Sequence, residues 1–331
     1  MNKSDIKNAF LNQKVLIIGD VMIDSYIWGK VDRISPEAPV PVVNVKKKEQ
    51  RLGGAANVAL NIQSLGGQPL LCAIVGRDTE GEDFLELLRK HDLKGDGIIS
   101  SHDRITTIKH RVISGSQHIL RVDQEIDHPI SATETSQLIS HIKTMLDEQG
   151  ITVVVFEDYD KGVITERLIK ETVALCKSRN IPTIVDPKKR NFQFYREVTL
   201  MKPNLKELRE GLKRDIQASN INEVQESAKE LILTLGIQSA FITLSEHGVL
   251  LQKGDETFSI SAHKREITDV SGAGDTVVSV AALCLGSGLE YKLLAELSNL
   301  AGGIVCEKVG VVPIFLEELL SEASLLGIIR Q

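Results

Sequence analysis

The stretch TVVVFEDYDKGVITERLIKETVALCKSRNIPTIVD, residues Thr152 to Asp186, carries the reading of the fold. Its opening run, Thr152 to Asp158, is apolar and β-branched and reads as a strand. Glu166 to Arg179 then places apolar residues at helical spacing, and a second short apolar run, Pro182 to Asp186, closes a strand–helix–strand unit. Working outward, the same alternation continues in both directions. Further strands are expected at Val15–Gly19, Leu70–Gly76 and Ala240–Ser245, and helices at Ala55–Leu65, Glu82–His91, Glu134–Glu148, Glu223–Leu235 and Leu293–Glu307. A chain that alternates in this way builds an α/β fold, a mostly parallel central sheet with helices on both faces.

Two stretches break the rhythm. Val40–Val45 (VPVVNV) and Ile105–Asp123 (ITTIKHRVISGSQHILRVD) read as extended strands outside any strand–helix–strand repeat, the second as a hairpin turning at Ser114-Gly115-Ser116. Together they are expected to form a small β-strand lid, drawn from about 26–50 and 105–125, over an active site; the plainer alternative is a sheet extension at the domain edge. With no internal repeat, low-complexity tract or Pro/Ser-rich linker, residues 1–331 are expected to form one domain.

Composition narrows the function by exclusion. Aromatic residues are 4% of the chain and the net charge is −6, which supplies neither the stacking platforms nor the basic footprint of a nucleic-acid binder. The run Lys46–Lys48 reads as a solvated strand end. The apolar runs are too short to span a bilayer and the first dozen residues hold no signal-length apolar stretch, so the expected compartment is the cytoplasm, with no membrane partner. Cys72, Cys176, Cys284 and Cys306 are widely spaced, without a CxxC pair, and are expected to be buried free thiols. The eight His residues show no HExxH or related spacing, which argues against zinc.

The segment ITDVSGAGDTVVSVAALCLG, Ile267 to Gly286, carries the chemistry. A strand end leads through Ser271-Gly272-Ala273-Gly274-Asp275 into a small-residue apolar helix. Two glycines around an alanine let the backbone approach a ligand and aim N–H groups at it, and the helix adds its positive end. That is an anion hole. A carboxylate at its mouth would repel a merely bound phosphate, but it suits an acceptor hydroxyl whose proton must leave while the amides stabilise the transferring group. The competing reading makes Asp275 a simple helix N-terminal residue. Neither a Walker loop nor a GxGxxG after the first strand is present.

DVSGAGDT (Asp269–Thr276) resembles the carboxy-terminal signature of the ribokinase-like, PfkB-type carbohydrate kinases, and LGGAANVALNIQSLG (Leu52–Gly66) resembles their amino-terminal signature. The resemblance runs over essentially the whole chain, with Ser271 standing where Thr is common. It implies a three-layer α/β/α kinase fold, ATP and Mg2+ as cofactors, and room for a monovalent cation. Asp275 would be the catalytic base, and Gly272, Ala273 and Gly274 the anion hole. Asn204 and Glu207 of the NxxE in Lys202–Glu207 would place the magnesium ion through water; read alone, the two are a helix N-cap and its capping-box partner. Thr243, Ser245 and Gly248 of TLSEHGV resemble the nucleotide-binding turn, with Asp269 and Asn299 assigned to the same side.

The entry segment GDVMIDSYIWGKVDRISPEAPVPVV, Gly19 to Val43, is similar to the start of the heptose 7-phosphate kinases, as are DYDKG (Asp158–Gly162) and VDPKKRNF (Val185–Phe192). This resemblance implies phosphorylation of the anomeric hydroxyl of D-glycero-D-manno-heptose 7-phosphate in the making of ADP-heptose for lipopolysaccharide. Asp24, Gly53, Gly54 and Asn57 would hold the sugar, and Arg33, Arg111, Arg121 and Lys161 are the candidate cations for its phosphate. The lid arginines could instead be a solvated strand face, and Lys161 could neutralise Asp158 or Asp160. No HIGH-type adenylyltransferase motif occurs, so a stand-alone kinase is expected. Resemblance also suggests a homodimer through the lid strands. Rival readings are a kinase for another sugar or sugar phosphate, and a non-catalytic sugar or nucleotide sensor.

Overall fold

A computed structural model describes residues 1–115 and 117–330. In chain order its strands are β1 (Lys14–Gly19), β2 (Val21–Ile34), β3 (Pro41–Gly54), β4 (Gln68–Gly76), β5 (Ile98–Ser101), β6 (Ile108–Ser114), β7 (Gln117–Gln124), β8 (Val153–Glu157), β9 (Thr183–Asp186), β10 (Leu200–Met201), β11 (Ser239–Thr243), β12 (Val249–Lys253) and β13 (Glu256–Ile260). The helices are α1 (Lys3–Leu11), α2 (Ala55–Ser64), α3 (Thr79–Lys90), α4 (Ala132–Glu148), α5 (Glu166–Lys177), α6 (Leu205–Leu212), α7 (Ile221–Leu235), α8 (Ala273–Gly286), α9 (Tyr291–Val305) and α10 (Leu316–Leu325).

The larger sheet runs β13-β12-β11-β10-β9-β8-β1-β4-β5 and is parallel up to β11, after which β12 and β13 pair antiparallel. Successive residues of β1 face opposite layers. Val15 and Ile17 pack with α1, α2, α8, α9 and α10, whereas Leu16 and Ile18 pack with α4, α5 and α7. Because both faces are covered, the strands read as continuous apolar runs, not alternating ones. Each fully buried Leu, Ile, Val or Phe there contributes about 1.5–3 kcal/mol. The chain leaves β1 for β4 on one side and later returns to β8 on the other, so the order reverses beside β1. A crevice outside the strand C-termini is expected at such a reversal. Gly19, Glu157 and Asp186 end β1, β8 and β9 there.

The second sheet runs β3-β2-β6-β7, and its strand β2 follows β1 after a single residue, Asp20. Strand β2 starts buried and becomes exposed along its length, growing outward from the core. This sheet spans 21–54, more than the 26–50 expected because VMID and LGG are strand too, and 108–124, slightly less than the expected 105–125. Lys46–Lys48 lie within β3 and are exposed. Two residues of the expected turn, Ser114 and Gly115, join β6 to β7, and the third, Ser116, lies outside the described residues.

Some elements went unread. Helix α3 begins three residues before the expected Glu82, capped by the Asp78 carboxylate on Gly81 N–H. Helices α1 and α10, strand β5 and the β12–β13 hairpin were not foreseen. Cys72, Cys176 and Cys284 are buried free thiols, but Cys306 is only half-buried, a correction to the expected burial of all four. Among the described residues no helix is long and apolar enough to cross a membrane.

Candidate active site

Helix α8 is apolar all round, as a helix surrounded by packing must be. Its buried Ser279 hydroxyl is satisfied by donating to the Asp275 carbonyl at 2.6 Å. At its start Gly272 adopts φ +80°, a conformation L side chains rarely take, and an added Cβ would come within 3.2 Å of the Asn57 amide nitrogen. No side chain caps this helix. The first-turn N–H groups therefore remain available to an anion. Ala273 is the exception, since its N–H donates to Val270 O at 3.3 Å.

Asp275 sits in the first turn of α8 and is 4% exposed. The Asn57 amide of α2 donates to its Oδ2 at 2.7 Å, and the Tyr159 hydroxyl to its Oδ1 at 2.7 Å. Burial pushes the carboxyl up to about 6; the two donors oppose the rise and Asp186 adds to it. Helices α2 and α8 are also tied by Asn61, whose Oδ1 accepts from Thr276 Oγ1 and Ile314 N.

Beneath Gly274 lies a buried charge cluster. Lys202 Nζ is 2.9 Å from Asp186 Oδ2, and Lys188 Nζ is 2.6 Å from Glu207 Oε1. Burial alone would lower both lysines, but the surrounding carboxylates outweigh it and raise them. Glu157, fully enclosed at the end of β8, is raised far above the ordinary range by burial and by Asp186 and Asp275. Asn204 caps α6, its Oδ1 accepting from Glu207 N at 2.9 Å while Glu207 Oε2 accepts from Asn204 N at 2.8 Å. Both NxxE side chains are thus occupied with each other and with Lys188. Among the described residues no three His, Cys, Asp or Glu converge as a direct metal cage.

Thr243 pairs with Asn204 in an isolated bridge, bringing TLSEHG beside the NxxE. Ser245 holds φ +53° and Gly248 φ +87°, which makes the turn tight. Asp269 accepts from Ser271 N at 2.9 Å and Gly310 N at 2.9 Å, shaping the approach to α8. Asn299 donates to Ser261 O at 2.9 Å.

In the four-stranded sheet, Gly53 makes room for a carboxylate, since a Cβ there would lie 2.4 Å from Asp24 Oδ2. Asp24 Oδ1 accepts from Arg111 Nη1 at 2.5 Å. Gly54, at φ +59°, leads into α2 and so to Asn57. The four candidate cations are not one patch. Arg121 is exposed and bound to Asp123. Lys161 pairs with Glu125 at 2.8 Å, not with Asp158 or Asp160. Arg33 lies exposed nine residues along β2 from Asp24, roughly 30 Å in an extended strand, so the structure does not bring it to Asp24.

Several residues of the site went unassigned in the sequence: Tyr159, Asp186, Lys188, Lys202 and Arg51. Tyr159 and Lys188 stand inside DYDKG and VDPKKRNF, stretches whose similarity was visible while their roles were not. Arg51 reaches from the four-stranded sheet to Val311 O at 3.1 Å and stacks 4.8 Å over the Tyr26 ring. A cavity of about 320 Å³ lined by Val173, Cys176, Pro182, Thr199 and Gly236 opens at the opposite, N-terminal ends of β9 to β11, away from this chemistry.

Comparison with known proteins places these features. Residues 12–318 match the pfkB family of carbohydrate kinases. The bifunctional protein HldE of Koribacter versatilis is 38% identical over 316 residues, covering 96% of this chain and 64% of that protein. HldE of Helicobacter pylori strain HPAG1 is 36% identical over 308 residues, covering 93% and 65%. The chain therefore spans somewhat under two thirds of the length of these relatives. Among solved structures, phosphofructokinase-2 from Escherichia coli in complex with potassium superposes with a TM-score of 0.80 at 18% identity, covering 95% of this chain and 99% of the other. Ribokinase from Arabidopsis thaliana, complexed with ribose and ATP, gives 0.71 at 15% identity, covering 93% and 98%. With its nine-stranded sheet, the Gly272–Asp275 turn and a match over almost its whole length, the chain belongs to the pfkB family of carbohydrate kinases.

Proposed function

We propose that this chain transfers the γ-phosphoryl group of ATP to the anomeric hydroxyl of D-glycero-D-manno-heptose 7-phosphate, giving the 1,7-bisphosphate on the route to ADP-heptose and lipopolysaccharide. The observation that carries the reading is Asp275, buried at the uncapped start of α8 and held by two neutral donors. Asp275 takes the proton of the acceptor hydroxyl as its oxygen bonds to the γ-phosphorus. The bond from that phosphorus to the β–γ bridging oxygen breaks, and ADP leaves. N–H groups of Gly272, Gly274 and Asp275 face the charge on the group in transfer.

Asn204 and Glu207 fit a magnesium ion held through water. Asn204 Oδ1 and Glu207 Oε2 each accept from the other residue's backbone N–H, and the buried Asp186 Oδ1 beside them has no hydrogen-bond partner. Such an ion supplies neutralisation of phosphate charge. Thr243, Ser245, Gly248, Asp269 and Asn299 are assigned to the nucleotide, and a monovalent cation remains part of the reading only through family resemblance. Asp24, Gly53, Gly54 and Asn57 orient the sugar, with Arg111 the best-placed cation for its phosphate. The identity of the sugar rests on the resemblance of Gly19–Val43. The four-stranded sheet acts as a lid. Its exposed Leu120 and Val122, 55% and 47% accessible, suit pairing with a second copy in a cytoplasmic homodimer.

The test is ADP release across heptose 7-phosphate, fructose 6-phosphate and ribose. The expected kcat/KM for the heptose phosphate exceeds the others by about 100-fold or more. Equal or better turnover of fructose 6-phosphate overturns the substrate, and ATP binding without turnover of any sugar favours a sensor.

A further inference from the structure

We infer that Tyr159 is a positioning residue for phosphoryl transfer: its hydroxyl, on a loop clamped by Asp20, fixes the orientation and the basicity of Asp275. The inference rests on the reading of Asp275 as base. It starts from a buried carboxylate with no place in the mechanism. Asp20, 1% exposed at the junction of the two sheets, accepts from Tyr159 N at 2.9 Å, Lys161 N at 3.1 Å and Val163 N at 3.0 Å. Three backbone donors converge on one side chain. The same loop is held from its other side by Arg104, which donates to Lys161 O and to His128 O. Within it, Asp158 Oδ1 accepts from Asp160 N at 2.9 Å while Asp160 takes φ +56°. Gly162 turns at φ +89° against His128 O, where an added Cβ would come within 2.1 Å. This is far more restraint than a surface connection needs, and its product is one placement: the Tyr159 hydroxyl 2.7 Å from Asp275 Oδ1.

The chemistry of the donor matters. A lysine or arginine in that place would stabilise the carboxylate so strongly that it became a poor base. A phenol and an amide are weaker, and each occupies only part of one oxygen, which leaves lone pairs for the acceptor hydroxyl. Tyr159 stays a donor, because its buried surroundings and the nearby Asp275 and Glu157 push its own ionisation well above the ordinary tyrosine range. Lys188 Nζ lies 5.5 Å over its ring and steadies the ring plane. The charges that face Asp275 are Glu157 and Asp186, which oppose its ionisation, and Lys188 and Lys202, which favour it. Removing one of two neutral donors therefore makes Asp275 hold its proton to higher pH.

The experiment compares the pH dependence of kcat for wild type, Tyr159→Phe and Asp20→Asn with ATP and heptose 7-phosphate. Both variants see the same substrate as wild type, so a displaced acid limb reports on the enzyme. For Tyr159→Phe the limb is expected to move upward by about one pH unit, a roughly fivefold lower rate at pH 6, with KM for both substrates within about twofold. Asp20→Asn is expected to move the limb the same way. ADP affinity by calorimetry verifies that each variant is folded. An unmoved limb with unchanged kcat in folded Tyr159→Phe overturns the inference, as does a raised KM alone, which would make Tyr159 a substrate contact. Near-normal turnover by Asp275→Asn sinks the base assignment and this role with it. An inactive Asp275→Asn beside an unaffected Tyr159→Phe sinks this role alone.

Discussion

Two aspartates flank the Gly53–Asn57 segment, each 4% exposed, and their partners are opposite in kind. Asp275, on the floor built by the nine-stranded sheet and its helices, is held by an amide and a phenol. Asp24, on β2 of the four-stranded sheet, is held by the Arg111 guanidinium. Neutral donors fix a carboxylate without cancelling its basicity, whereas a cation turns it into one half of an ion pair. The floor as a whole follows this division. Its charges are buried and locked to one another through Lys188 and Lys202, while the four-stranded sheet pairs Arg121 and Lys109 with acids near solvent. One region locks its charges to one another away from solvent, and the other pairs them nearer to it.

The contrast can be broken first at the floor. Lys202→Met removes the 2.9 Å partner of the buried Asp186, leaving only Lys188 at 3.7 Å, and is expected to destabilise the protein by about 3 kcal/mol, read as a lowered urea midpoint. A loss below about 1 kcal/mol would mean that the cluster is not dry. On the lid the expected effects fall on binding. Arg111→Ala should raise KM for the sugar phosphate by about 10–100-fold with kcat changed far less, since it removes a cation and strands Asp24. Arg121→Ala, on an exposed pair, should change KM less than about twofold. Equal effects at the two arginines would erase the distinction between them.

The layered α/β fold could be read because its strands are buried on both faces and therefore apolar without interruption, as in Val153–Phe156 and Val15–Ile18. The Gly272–Asp275 turn could be read because it needs unusual residues at fixed spacing. What the sequence hid were meetings between distant residues. Tyr159 reaches Asp275 across 116 positions and Arg111 reaches Asp24 across 87, and no local pattern announces either. The lid ran longer than expected because β2 starts in the core and ends in solvent, so its residues follow neither a clean alternation nor an apolar run. Arg33 was one of four candidate cations for a substrate phosphate, and the extended strand carries it away from Asp24.

Asp275 also sets a price on its own burial. An aspartate lifted to about 6 binds its proton more tightly folded than unfolded, so its effect on stability is unfavourable above that pH and fades as pH falls toward about 4. At pH 7 the cost is about 3 kcal/mol. Asp275→Asn should recover part of it, raising the thermal midpoint while abolishing the base.

The measurement that bears most directly on the account is single-turnover ADP formation by Asp275→Asn with saturating ATP, magnesium and heptose 7-phosphate, alongside calorimetric affinities for both substrates. The expected result is a rate reduced by about 10³-fold or more with affinities within about threefold of wild type. Turnover within about tenfold of wild type, or affinity lost with the rate preserved, would contradict the assignment of Asp275 as the base.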